Sequence, residues 1–194
     1  MKFILTCICI MTVTLCYFGV AIAEPPEWTF DDAAEIEGWS ALNQVNLSVE
    51  DGVLKTVSLG GDPYFFPGGD WNTRDWEPFS GKDFSTIYLS VKVNKTDTWQ
   101  VYYVTEEETG WAETQRQNFE VQASGDFIAL EFVMERGGWQ ERTVTGFRID
   151  PGVSEGVEAE IDYISLKGIP KIVETAVEAN GKIATSWGKL KNQS

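Results

Sequence analysis

The sequence predicts an all-β protein: a two-sheet antiparallel β-sandwich of jelly-roll type with a short C-terminal tail. Two observations carry this. Stretches with period-two alternation recur at short intervals, while helical periodicity is nearly absent between Glu24 and Gly168. Eight or nine such strands in one domain can cover their apolar faces only by packing two sheets together.

The strands follow in order. Residues 45–49 alternate, the Asp51-Gly52 pair supplies a hairpin turn, and 53–59 return. Residues 87–93 form a further strand, and the polar run 94–97 turns the chain into 99–104. Strands at 117–121, 127–134, 143–149 and 158–166 complete the set. The long stretch 60–81 lacks clear strand character, yet it holds three prolines and six aromatic residues. A connection of that length in a compact domain is usually functional or disordered, and its aromatic content argues against disorder. Within it, 64–66 form a candidate short strand.

The ends differ from this body. Lys2 precedes an apolar run through Val20, and Ala21-Ile22-Ala23 forms a small-residue cleavage site before Glu24. That is the pattern of a signal peptide over 1–23, which predicts a secreted or extracytoplasmic protein, periplasmic or at the cell surface. The alternative for the same run is a membrane anchor. The sandwich domain then spans 24–168. The tail, 169–194, carries four lysines and two glutamates, and Ile183, Trp187 and Leu190 share one face of a short helix. It either packs back on the sandwich or docks another protein or the cell surface.

Residue content narrows the chemistry. The chain has no histidine, and its three cysteines (Cys7, Cys9, Cys16) all lie in the leader. Disulfides, imidazole-based nucleophile systems and zinc sites are thereby struck from residues 24–194. With 30 acidic against 15 basic residues the net charge is −15, which disfavours nucleic acid and anionic membranes as partners. What remains is aromatic surface, carboxylates, amides and hydroxyls. An aromatic ring stacks on the C–H face of a sugar while neighbouring polar groups take its hydroxyls, so a polysaccharide or other glycan is the expected partner.

Eight tryptophans supply the rings. Trp28, Trp39 and Trp99 sit among alternating apolar neighbours and are expected in the core. Trp71 and Trp76 flank Asn72-Thr73-Arg74-Asp75 in the long loop, so Trp71, Asn72, Arg74 and Trp76 form the leading candidate site. Tyr64, Trp111 after a hairpin tip, and Trp139 after Gly137-Gly138 are the further ligand-facing candidates. For Trp139 the alternative is a lid on the edge of the sandwich.

Two end motifs add a resemblance. Trp28-Thr29-Phe30-Asp31-Asp32 precedes Gly38-Trp39, and Gly146-Phe147-Arg148-Ile149-Asp150-Pro151-Gly152 precedes Glu160-Ile161-Asp162-Tyr163-Ile164-Ser165-Leu166. The pattern resembles the galactose-binding-like jelly-roll carbohydrate-binding modules found beside secreted polysaccharide-degrading enzymes. The resemblance implies non-catalytic glycan binding. It also implies a structural calcium held by an acid of the first strand and one of the last, which would be Asp31 and Asp162.

Two other functions stay open. Glycoside hydrolysis needs only paired carboxylates. Glu158, Glu160 and Asp162 share one strand face at roughly 6.5–7 Å spacing, but they face away from the apolar side and match no glucanase pattern. An exported adhesion module that binds protein is the second alternative.

Overall fold

The computed structural model describes residues 24–32, 36–68 and 76–170. The leader and the tail from 171 onward lie outside the described residues, as do Trp71, Asn72 and Arg74. Twelve strands are described: β1 (Glu27–Trp28), β2 (Trp39–Asn43), β3 (Val45–Glu50), β4 (Val53–Ser58), β5 (Tyr64–Pro67), β6 (Phe79–Ser80), β7 (Thr86–Val93), β8 (Asp97–Thr105), β9 (Arg116–Val121), β10 (Ile128–Val133), β11 (Thr143–Asp150) and β12 (Glu158–Ser165).

The strands form two antiparallel sheets. The first has the order β10-β7-β12-β4-β3, with β1 added to β12; the second has the order β2-β5-β11-β8-β9, with β6 added to β11. The expected strands are present with ends shifted by at most two residues. The structure adds β1, β2 and β6, which are too short, at two to five residues, for alternation to reveal them. The hairpin at 51–52 takes the form its sequence requires. Asp51 (φ 55°) and Gly52 (φ 78°) are both left-handed, the turn that matches the twist of paired strands, and Glu50 pairs with Val53 across it.

Alternation sets which side chains enter the core. On β11, Phe147 and Ile149 point between the sheets; on β8, Trp99, Val101 and Tyr103 do the same; on β7, Ile87, Leu89, Val91 and Val93 meet them from the other layer. Trp28, Trp39 and Trp99 are buried, as the sequence pattern predicts. Rings mesh edge to face at the centre: Trp28 and Trp39 lie 4.9 Å apart, Trp39 and Phe65 5.1 Å, and Tyr103 and Trp139 5.2 Å. Such pairs add about 0.5–1.5 kcal/mol each beyond the area they bury. The residues between leader and tail have no cysteine, so this aromatic packing holds the layers together in place of a cross-link.

One open side is also closed. Edge strands β9 and β10 belong to different sheets, and Phe119 stacks on Phe132 across the gap at 4.1 Å. The Gln117 side chain accepts the amides of Glu135 (2.8 Å) and Arg136 (3.0 Å) and donates to the Val133 carbonyl. These bonds occupy backbone groups that an exposed edge would offer to another chain.

Trp139 requires a correction. It is fully buried, its indole N–H donates to the Phe84 carbonyl at 2.9 Å, and its ring packs on Phe79, Tyr103 and Phe147. The Gly137-Gly138 pair bends the chain inward in left-handed conformation (φ 70° and 86°), which carries the ring into the sandwich instead of out to solvent. A Cβ on Gly137 would lie 2.2 Å from the Tyr103 hydroxyl, so the bend admits only glycine. Trp139 is a core residue, not a ring presented to solvent.

Candidate functional site

The outward positions of the second sheet place aromatic and charged groups side by side. Because Phe65, Phe147, Ile149, Trp99, Val101 and Tyr103 point inward, their neighbours Tyr64, Phe66, Arg148, Asp150, Gln100 and Tyr102 point to the opposite face. The Arg148 guanidinium lies 4.0 Å from the Tyr64 ring and 4.1 Å from the Tyr102 ring, with Trp111 at 5.9 Å. Phe66 meets Trp111 at right angles, centroids 6.5 Å apart. Tyr64 and Trp111 keep part of their surface exposed, while Phe66 and Tyr102 are buried.

Gly146 makes room for this arrangement. A Cβ there would come within 2.9 Å of the Val104 side chain and touch the far edge of the Trp111 ring. Its absence lets Trp111 lie against the sheet beside Phe66.

Arg148 and Asp150 are joined by a hydrogen-bonded ion pair, Nη2 to Oδ2 at 2.9 Å, with side chains only 10% and 3% exposed. Among the described residues, neither Arg148 Nε nor Asp150 Oδ1 has a hydrogen-bond partner, and both atoms are buried. Burial pushes the Asp150 carboxyl up to about 7, against the pull of Arg148, and the nearby Asp62 adds to the rise. An ion pair that served stability would hold the carboxyl low. Here the pair is desolvated and each partner retains an unused polar atom, a combination found where a site is made ready for a ligand.

The surrounding groups are fixed. The Tyr102 hydroxyl donates to Glu113 Oε1 at 2.7 Å and accepts from Arg116 Nη1 at 3.0 Å. Asn43 Nδ2 donates to Asp62 Oδ2 at 3.1 Å. The face therefore offers partly exposed rings for stacking, with the buried Arg148–Asp150 pair beside them.

The structure brings Tyr64 and Trp111 together and separates Trp76 from them. The Trp76 ring packs on Phe79 (5.5 Å) and Phe147 (6.0 Å), on the inner side of β11, and lines a groove of about 400 Å³ with Trp28, Pro25 and Pro26. Asp31 is exposed and accepts the Thr29 hydroxyl at 2.8 Å. Asp162 is half-buried and accepts the Ser90 hydroxyl; burial, then the charge of Asp31, raises its pKa. Among the described residues no three acidic side chains converge as a metal cluster. Glu160 points from the other sheet and pairs with Lys92 at 3.0 Å.

Sequence reading by ring type alone missed Arg148, Asp150 and Tyr102. The signal was present: Arg148 and Asp150 are charged residues at successive outward positions of a strand whose inward positions are Phe147 and Ile149. A charge pair there, on a central strand, needs a reason to be buried.

No protein-family model and no curated protein matches the chain. Among solved structures it is similar to a family 29 carbohydrate-binding module carrying an arginine-to-alanine substitution made to probe ligand recognition. That match has a TM-score of 0.50 at 11% identity and covers 76% of this chain and 99% of the other. A glutamate-to-arginine mutant of a family 29 module gives 0.49 at 8% identity, over 78% and 99%. An aspartate-to-alanine mutant complexed with mannohexaose gives 0.48 at 9%, over 74% and 91%. At 11% identity the first of these likenesses is one of fold: the chain has a β-sandwich jelly-roll fold.

Proposed function

We propose that this protein is a non-catalytic glycan-binding module whose ligand lies on the outer face of the second sheet. A sugar ring stacks on the part-exposed Tyr64 and Trp111 rings, beside the buried Arg148–Asp150 pair. The observation that carries the reading is the outer face itself: the part-exposed Tyr64 and Trp111 rings gathered around the Arg148 guanidinium. The fold shared with carbohydrate-binding modules supports it. Trp71, Asn72 and Arg74, outside the described residues, remain proposed contributors. Residues 1–23 are proposed to export the chain, and the tail to dock a partner or the cell surface.

The test is a glycan array combined with an assay for released reducing ends. Binding without release is the expected result. Release of sugar would make the chain an enzyme, and silence in both would favour a protein-binding adhesion module. Tyr64→Ala and Trp111→Ala are each expected to weaken glycan binding by about tenfold or more, as loss of an aromatic anchor does; unchanged affinity in both would move the site elsewhere.

A calcium ion held by Asp31 and Asp162 is a separate proposal. The two carboxylates lie near enough to repel each other. They supply at most four of the six to eight oxygens calcium takes, so backbone carbonyls and water would complete the shell. Binding to the folded state raises the melting temperature by mass action. An unchanged melting temperature on adding calcium and on chelating it would remove this ion from the account.

A further inference from the structure

We infer that Glu113 is a positioning residue of the binding face: without touching ligand, it holds Tyr102 and the turn that carries Trp111 in a fixed relation. The inference rests on the glycan-binding reading above. Glu113 opens a single 3-10 turn, Glu113–Gln115, two residues after Trp111. Its carboxylate accepts the Tyr102 hydroxyl through Oε1 at 2.7 Å and pairs through Oε2 with Arg116 Nη1 at 2.5 Å. Arg116 in turn donates to the same hydroxyl at 3.0 Å, and its guanidinium carbon lies 5.5 Å from the centre of the Tyr102 ring. Carboxylate, hydroxyl and guanidinium thus close a three-membered network. One member belongs to the sheet (Tyr102 on β8), one to the edge strand (Arg116 on β9), and one to the turn.

The consequence reaches the ligand face through one ring. Tyr102 is a wall of the slot that holds the Arg148 guanidinium, at 4.1 Å. Trp111 stands 5.9 Å from the same guanidinium on another side. The opposite end of the 106–112 hairpin is tied down separately. The Glu108 amide donates to the Thr105 hydroxyl at 3.1 Å, Gln115 Nε2 donates to the Glu108 carbonyl at 3.2 Å, and Arg142 pairs with Glu108 at 3.0 Å. Glu113 supplies the tie between this hairpin and the Tyr102 hydroxyl. Its side chain is 70% exposed, so its ion pair adds little to global stability. Its effect falls on geometry: a platform residue displaced by about 1 Å loses much of its contact with a rigid ring.

The experiment measures mannohexaose and cellohexaose binding by calorimetry alongside thermal unfolding. Glu113→Ala is expected to weaken binding about tenfold with melting temperature nearly unchanged. Glu113→Gln keeps an oxygen for the Tyr102 hydroxyl and is expected to bind within about twofold of the unsubstituted chain. Tyr102→Phe, which removes only the hydroxyl, is expected to match Glu113→Ala. Unchanged binding in Glu113→Ala, or a loss that simply tracks a fall in stability, would overturn the inference. Trp111→Ala separates the two levels. If Trp111→Ala abolishes binding while Glu113→Ala does not alter it, the positioning role fails and the binding face stands. If Tyr64→Ala and Trp111→Ala both bind normally, or the unsubstituted chain binds no glycan on the array, both fail.

Discussion

The two outer faces of the sandwich carry ion pairs of nearly equal length and opposite character. On the first sheet, Lys55–Glu50 (2.7 Å) and Lys92–Glu160 (3.0 Å) have side chains 35–59% exposed. On the second, Arg148–Asp150 (2.9 Å) is 10% and 3% exposed and lies between two tyrosine rings. Water screens the first kind, which forms and breaks at little consequence. The second kind has lost its water, and mutual attraction does not fully replace it. Burial therefore raises the Asp150 pKa despite the adjacent arginine. Distance alone does not distinguish the two faces; desolvation does. The face on which the fold tolerates a destabilising pair is the one whose chemistry points to a ligand.

This contrast has a pH signature, and it is the largest effect expected. The folded-state pKa of Asp150 is about 7, above its ordinary 3.8. Its contribution to stability is fully present below about pH 4 and is lost as pH rises through about 7. The difference is on the order of 4 kcal/mol. Glu37 and Asp162, also raised by burial, push the same way. Denaturant unfolding measured from pH 4 to 8 is expected to show a steady fall that Asp150→Asn largely removes. A profile that rises with pH would contradict the burial argument.

Arg148→Ala leaves the Asp150 carboxylate buried without its partner. Unfolding at pH 8 is expected to show a loss of about 3 kcal/mol. At pH 5 Asp150 takes up a proton and the loss shrinks well below that, so the gap between the two measurements reports the pair itself. The smallest effect belongs to the first sheet. Lys92→Ala is expected to cost less than about 1 kcal/mol and to leave glycan affinity unchanged. A large effect of Lys92→Ala on affinity would transfer the site to the shallow groove it lines with Lys55, Glu158 and Glu160.

Much of the fold was legible because alternation is a local signal. Val45 to Val49 and Ile87 to Val93 announce their buried faces residue by residue, and Asp51-Gly52 announces its turn. The strands β1, β2 and β6 escaped because a strand of two to five residues carries too few alternations. The site was legible only in part. Tyr64 and Trp111 were singled out by residue type, and the structure sets both beside Arg148 on one face. Trp139 was misplaced because a Gly-Gly bend can aim a ring inward or outward, and only the carbonyl of Phe84, far away in sequence, decides which. Trp76 was grouped with Trp71 by sequence proximity, whereas packing against Phe79 and Phe147 takes it to the inner side of β11. Arg148 and Asp150 appeared in the sequence as part of a closing-strand motif. Their role depends on Tyr64 and Tyr102 from two other strands, and no local pattern reports that.

Sugar is proposed to bind on the second sheet, over the face that surrounds the desolvated pair. A two-dimensional NMR titration with a glycan that binds on the array follows the arginine Nε–H and tryptophan indole signals. The account predicts that the Arg148 Nε–H and the Trp111 indole shift together and saturably, while the buried Trp99 and Trp139 indoles stay in place. Saturable binding with Arg148 and Trp111 unmoved, or shifts confined to residues of the first sheet around Lys92 and Glu160, would contradict it.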